Sequence, residues 1–359
     1  MKIVYDNIVF SLQRSGGISV VWYELLKRML KQKKYNLQFI EYQNANQNIF
    51  RSMLDLEFKK NKKNCDYFSL IINRYINPKL KKIDEPFIFH SSYYRVSSNK
   101  NAINITTVHD FIYEKFRKGI RKEIHCYQKR YSILNSDYII CVSENTKNDL
   151  LTYYPDINPQ KVFVVYNGVS EDYDVSKQEN SALPFPSQKY IIYVGVRDEY
   201  KRFDIAIKIS KQLNINLVIV GGGKLSKKEI NYINSQLFKN QYHAFTNLSN
   251  PQLNNLYSNA LCLIYPSTYE GFGIPVIEAQ RAGCPVVAYN NGAVKEIIGD
   301  TPLLFKRFNI TEISDIIIDN LFDSSIRNKI INNGFINSKK YTWDMTYEKT
   351  KNIYDSILK

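Results

Sequence analysis

Ser267-Thr-Tyr-Glu270-Gly-Phe-Gly273-Ile-Pro-Val-Ile-Glu278-Ala-Gln-Arg-Ala-Gly283 is the stretch on which the fold turns. Before it runs Leu261-Cys-Leu-Ile-Tyr265 and after it Pro285-Val-Val-Ala-Tyr289, both apolar and of strand length. The order strand, loop, helix, strand makes one parallel βαβ unit. Pro275 suits the first helical turn, where a missing N–H costs nothing, and Gly283 suits the C-terminal cap. Gly271 and Gly273 flank Phe272 just before the helix, so backbone N–H groups can come close to a ligand. The helix N-terminus adds a partial positive charge, which suits an anion or a polyol. Glu270 in the loop and Glu278 about one turn into the helix frame that spot. Two isolated glutamates at this spacing are more often a loop carboxylate and a solvated or capping one.

The full string changes that balance. Glu270-Gly-Phe-Gly-Ile-Pro-Val-Ile-Glu278 resembles the glutamate-seven-residues-glutamate motif of the retaining glycosyltransferases of family 4. The resemblance implies an α/β chain of the GT-B fold. In that fold two Rossmann-like doubly wound domains face a cleft, and a C-terminal helix crosses back to the first domain.

The chain's 359 residues are large for one core, and two domains are expected. An apolar fraction of 44% with 14% aromatics can fill packed cores and argues against disorder. Cysteines stand at 65, 126, 141, 262 and 284 with no Cys-x-x-Cys pair, as in a reduced cytosolic protein. No signal-peptide layout opens the chain, and no apolar run approaches the ~20 residues that span a bilayer. The expected location is cytoplasmic or peripheral on the inner face of the membrane. A net charge of +15 gathers in Arg51 to Lys82 and again in Lys115, Arg117, Lys118, Arg121, Lys122, Lys129 and Arg130. No nucleic-acid motif accompanies it, so no nucleic acid is expected. An anionic membrane surface is the partner favoured for these cations over a merely basic composition.

From the N-terminus, Lys2-Ile-Val-Tyr5 reads as a strand, and Gly16-Gly17 precede an amphipathic helix from Ile18 to about Leu30. The glycine pair makes either a tight turn or an approach to a diphosphate or acceptor; the family's cleft-lining glycine pair tilts Gly16 and Gly17 towards donor binding. Residues 31–82 are the least legible, with a strand over Leu37 to Tyr42 and a helix around Tyr67 to Ile76. Phe87 to Phe89 and Ile103 to Val108 are strands that end in His90 and in His109-Asp110. Ligands sit at such strand ends, although a lone histidine is more often structural. Thr107-Val-His109-Asp110 resembles the family's His-Asp position, which implies that His109 faces the donor sugar; His90 is the weaker, acceptor-side candidate. A helix over Arg117 to Leu134, a strand over Asp137 to Ser143 and a strand over Val162 to Tyr166 follow, and Asn167-Gly168 is a turn.

Acids, Ser, Asn, Pro184 and Pro186 mark residues 171–188 as a linker between domains over 1–170 and 189–340, with residues 341–359 returning to the first. Tyr190 to Val194 opens the second domain as a strand. Arg197 and Lys201, four apart after it, suit a diphosphate through a guanidinium fork and a point charge. They resemble the family's donor-phosphate cations, with Arg202 in place of the usual Asn. Gly221-Gly-Gly-Lys224 resembles its glycine turn near the nucleotide.

The resemblance therefore implies a retaining, metal-independent hexosyltransferase with no cofactor. It would use a GDP- or UDP-sugar and a glycan or lipid-linked acceptor of O-antigen or capsule type. Glu270 and His109 are its expected catalytic residues. Gly16, Gly17, Arg197, Lys201, Gly271, Phe272, Gly273, Ile274 and Glu278 are expected to bind donor. Asp172-Tyr-Asp174 has the Asp-x-Asp form of metal-dependent transferases but falls in the linker, so no metal site is assigned. A nucleotide-sugar 2-epimerase and a catalytically silent subunit of a membrane glycan-assembly complex are the rival readings.

Overall fold

The computed structural model describes residues 2–54, 62–63, 72–80, 82–177 and 182–357. They form two compact units, residues 1–168 with 343–359, and residues 169–342.

The first unit holds a seven-stranded parallel sheet. Its strands are β1 (Lys2–Asp6), β2 (Asn36–Tyr42), β3 (Lys62–Lys63), β4 (Phe87–Ser91), β5 (Ala102–Val108), β6 (Tyr138–Cys141) and β7 (Val162–Val164), in the order β3-β2-β1-β4-β5-β6-β7. β4 is buried along its whole length, as a central strand covered on both faces must be. The helix Gly17–Met29 buries Trp22, Leu25, Leu26 and Met29, one face at helical spacing. They pack with Ile3, Tyr5, Ile88 and Ile105 of the sheet. The closing helix Trp343–Ile357 belongs to this unit and adds Tyr347, Ile353 and Tyr354 to the same core. At the end of β1, both Asp6 oxygens accept from the buried Arg95 guanidinium, and Ser91 Oγ donates to Asp6 at 2.7 Å. That buried charge is tolerable because it is paired and its remaining lone pairs are used.

The second unit holds six parallel strands: β8 (Tyr190–Val194), β9 (Asn216–Val220), β10 (Tyr242–Phe245), β11 (Leu263–Tyr265), β12 (Val286–Tyr289) and β13 (Leu304–Phe305), in the order β10-β9-β8-β11-β12-β13. Tyr190-Ile-Ile-Tyr-Val194 has no alternation because every residue of it is buried. β11 and β12 pair in register Leu263 to Val286 and Tyr265 to Ala288. The chain runs outward from β8 through β9 and β10, then restarts beside β8 at β11 and runs the other way. The crevice at such a reversal is where open α/β sheets bind ligands.

Several expectations need correction. The helix expected over 117–134 begins only at Ile120, after Gly119 at φ +80°, and a separate short helix, Ile112–Phe116, precedes it. A left-handed residue cannot continue a right-handed helix. The strand expected from Val162 to Tyr166 ends at Val164. The described part of the expected linker, 171–177 and 182–188, lies within the second unit, where Tyr173 is 3% exposed and the Asp174 N–H donates to Asn254. Of the helix expected around 67–76, residues 67–71 lie outside the described residues.

Candidate active site

The loops that follow β8 and β11 meet at the reversal in the second sheet. Thr268 donates through its N–H and its hydroxyl to the Tyr200 carbonyl, at 2.8 and 3.1 Å. On the other side, Asn291 Nδ2 donates to the Ser267 carbonyl at 2.8 Å. Two anchors thus hold a loop that carries no regular structure of its own. Gly273 caps the helix Ile274–Arg281 at φ +105°, a conformation that side chains rarely adopt. Pro275 lies in the first turn of this helix, and Gly283 just beyond it has φ +73°.

Lys201 Nζ lies 2.6 Å from Glu270 Oε1. The two side chains are 13% and 8% exposed, so the pair is shielded but reachable. The ammonium also lies 5.5 Å from the Tyr200 and Tyr265 ring centroids. Phe272 is buried, with its ring edge-on to Tyr341 at 5.7 Å. Gly271 is buried beside it, and Ile274 opens the helix half-buried.

Arg197 is placed differently from a free phosphate ligand. Its Nε donates to Glu229 Oε1 at 2.5 Å, and Nη1 to the Gly221 carbonyl at 2.6 Å. Nη2 reaches the carbonyls of Gly222, Gly223 and Lys224 at 3.1 to 3.3 Å. Gly221, Gly222 and Gly223 all have positive φ, which turns their carbonyls onto the guanidinium. A Cβ at Gly222 would lie 2.5 Å from Arg197 Nη1. Burial alone would raise the Glu229 carboxyl, but hydrogen bonds from Arg197 and Ser226 bring it down to about 2. Arg197 therefore fastens the glycine loop to the helix Lys227–Gln236. Glu229 was overlooked in the sequence, although Ser226-x-x-Glu229 has the spacing of a capping box, which it forms.

Glu278 is half-buried on its helix, with the Tyr257 hydroxyl 3.4 Å from Oε2. Burial pushes its carboxyl up to about 7, against hydrogen bonds from Tyr173 and Tyr257. Asp172 and Asp174 serve local structure. Asp172 Oδ2 accepts from Ser170 and Asn250 at 2.9 Å, and Asp174 Oδ1 accepts from the Ser176 N–H and hydroxyl at 2.8 and 2.7 Å.

In the first unit, His109 follows β5 and lines a small pocket with Ile18, Trp22, His90, Asn167 and Thr346. Burial, aided by Lys129 and opposed by Asp110, lowers the His109 imidazole to about 4, so it is neutral at pH 7. Gly17 begins the helix that supplies Ile18 and Trp22, and Gly16 caps it in an extended conformation. Space does not demand a glycine at 17, where a Cβ would meet nothing within 4 Å. His90 is fully engaged, with Nδ1 2.6 Å from the Tyr354 hydroxyl and Nε2 2.9 Å from Thr107 Oγ1. It packs the cavity wall rather than offering a nitrogen to a ligand. Asn167 was seen in the sequence only as a turn residue.

Two family models match the chain: Glycosyltransferase Family 4 over residues 15–173, and Glycosyl transferases group 1 over residues 174–336. The chain belongs to glycosyltransferase family 4. An uncharacterised glycosyltransferase of Methanocaldococcus jannaschii is 25% identical over 99% of both chains. The O-antigen chain mannosyltransferase B of Escherichia coli is 36% identical over 28% of this chain and 26% of its own. A crystal structure of Anabaena HepE in complex with UDP-glucose superposes with a TM-score of 0.69 at 14% identity, covering 99% of this chain and all of that one. The fold is GT-B. This glycosyltransferase therefore has relatives in O-antigen synthesis.

Proposed function

We propose that this glycosyltransferase moves a hexose from a GDP- or UDP-sugar, with retention, to a glycan or lipid-linked oligosaccharide of a surface polysaccharide. The observation that carries the reading is the Lys201–Glu270 pair, with Glu270 on the loop that leads into the helix Ile274–Arg281 where the second sheet reverses. A nucleoside diphosphate leaving group gains negative charge as the anomeric C–O bond breaks, and a cation with oriented amides stabilises that charge. In this reading Lys201 and the positive end of the helix that opens at Ile274 do this. Glu270 holds the Lys201 ammonium and presents a carboxylate near the positive charge that builds on the sugar.

The bond from the anomeric carbon to the diphosphate oxygen breaks with its electron pair on oxygen. The acceptor oxygen bonds to the same face of that carbon, and its proton passes to the departing diphosphate. Arg197 acts on the donor through the glycine loop it holds, Glu278 holds ribose hydroxyls, and His109 supplies a neutral imidazole. No metal or cofactor takes part in this scheme. The basic first unit and a lipid-linked acceptor support action at an anionic membrane face; among the described residues, no helix is long and apolar enough to cross a membrane.

A thermal-shift panel with GDP, UDP, GDP-mannose and UDP-glucose tests the donor. Stabilisation by one base, and more by its sugar conjugate, is expected; no shift with any of them would favour a silent subunit. Early proton NMR of the sugar released from the stabilising donor should show the donor's own anomer.

A further inference from the structure

The helix Ile120–Leu134 is built inside out. Its buried residues are His125, Gln128, Lys129, Ser132 and Ile133, four of them polar. Its solvent face carries Ile120, Ile124, Tyr127, Tyr131 and Leu134, exposed at 75, 42, 72, 42 and 48%. The spacing alternates four and three, so at 3.6 residues per turn these five fall within an arc of about 80° and run for about 21 Å. An ordinary surface helix turns its apolar stripe inward.

The inversion is tolerated because most of the inward polar groups are paired; Gln128 donates to the Arg74 carbonyl, while its Oε1 is buried without a partner among the described residues. Lys129 pairs with Glu114 at 3.0 Å and sits 3.7 Å from the Phe111 ring centroid. His125 stacks on Tyr113 at 3.8 Å, and Ser132 shares a hydrogen bond with Thr106 at 2.7 Å. Lys129, counted in the sequence among the surface cations, is thus an interior residue. Exposed Arg121 and Arg130 lie on opposite flanks of the stripe, Lys118 is exposed just ahead of the helix, and one exposed acid, Glu123, shares the flank of Arg130.

We propose that this stripe docks the protein onto an anionic lipid bilayer, with the helix lying in the plane of the headgroups. The inference deepens the membrane reading above and rests on it. An apolar stripe flanked by more cations than acids is the layout of an interfacial helix, and tyrosines favour the headgroup level. Charge complementarity selects the occupant. A second copy seated on the stripe would set two chains of net charge +15 against each other. Anionic lipid instead neutralises the flanking arginines.

The test is co-sedimentation of the full chain with vesicles of phosphatidylglycerol and phosphatidylethanolamine, or of phosphatidylcholine alone, at about 0.15 M salt. Binding is expected to the anionic vesicles and to be about tenfold weaker to phosphatidylcholine. The pair Ile120→Ser with Tyr127→Ser, and separately Arg121→Glu with Arg130→Glu, should each weaken anionic binding about tenfold. All four side chains are exposed, so circular dichroism should not change. Failure of the wild-type chain to bind would overturn both the docking and the membrane reading. Wild-type binding that neither pair alters would leave the membrane reading and remove this helix from it. Loss only with the arginine pair would reduce contact to charge and overturn docking by the stripe. A dimer in light scattering that the Ile120/Tyr127 pair abolishes would make a second copy the occupant and overturn the proposal.

Discussion

Lys201 Nζ stands 2.6 Å from Glu270 Oε1, joining residues 69 positions apart across the place where the second sheet reverses its strand order. Two residues assigned to different tasks, phosphate binding and catalysis, are one ion pair.

Because each charge is mostly buried, removing either leaves the other short of a partner. Lys201→Met and Glu270→Gln should each destabilise the fold, and the double variant by less than their sum. The expected coupling is about 1–3 kcal/mol, measured by urea unfolding of all four proteins. Additive costs would mean that the two side chains have no interaction energy with each other.

The two glutamates and His109 should separate kinetically. In the proposed scheme Glu270 and His109 act on the reacting sugar, so Glu270→Gln and His109→Ala should lower kcat more than they raise donor KM. Glu278→Gln should chiefly raise donor KM, because a ribose contact is equal in ground and transition states. Steady-state kinetics with one donor and one acceptor, with circular dichroism as control, decides this. An inactive Glu278 variant with normal donor affinity would exchange the roles of the glutamates.

Arg197 offers a sharper choice. Arg197→Ala and Lys201→Ala should each weaken nucleoside diphosphate binding, by about 1.5–3 kcal/mol in isothermal titration. If Arg197 works by holding the glycine loop, Glu229→Gln should reproduce much of its loss. An unaltered affinity in Glu229→Gln would instead put the guanidinium on the phosphate itself.

Acid should destabilise the first unit. Burial, the largest cause in each, lowers His90 and His125 to about 3 and His109 to about 4. Their unfolded values lie near 6.5, so between about pH 6.5 and 4 the unfolded chain binds more protons and stability rises with pH. The histidines' contribution is complete above about 6.5 and is lost as pH falls towards 3 to 4. Each contributes a slope approaching about 1.4 kcal/mol per pH unit well inside that window. Glu278 works the other way, losing stability as pH rises from its unfolded range through about 7. Urea midpoints at several pH values should therefore fall steeply below pH 6, and His125→Gln should flatten the fall.

Transfer should survive EDTA. Chelation that abolished activity, with Mg²⁺ or Mn²⁺ restoring it, would replace the metal-free scheme and return attention to Asp172 and Asp174.

Much of the fold was legible because parallel strands buried on both faces read as short apolar runs. Tyr190–Val194 was located to the residue, and the helix after Gly273 by Pro275 and Gly283. Strand ends were less legible at Val162–Val164, where the apolar run outlasts the pairing. The Gly119 break was missed because the residues around it keep a helical composition.

The sequence by itself determined the two α/β halves, the glycine-bearing loop before an N-terminal helix turn, and the residue types gathered at strand ends. These depend on local periodicity and on backbone conformations that only glycine or proline readily supplies. Tertiary structure alone decided that Lys201 meets Glu270, that Glu229 engages Arg197, and that His90 spends both ring nitrogens on Thr107 and Tyr354. It also decided that the helix Ile120–Leu134 turns its apolar side outward. Whether a polar side chain is free, paired or buried depends on groups tens to hundreds of positions away, and local periodicity carries no record of which strand becomes whose neighbour.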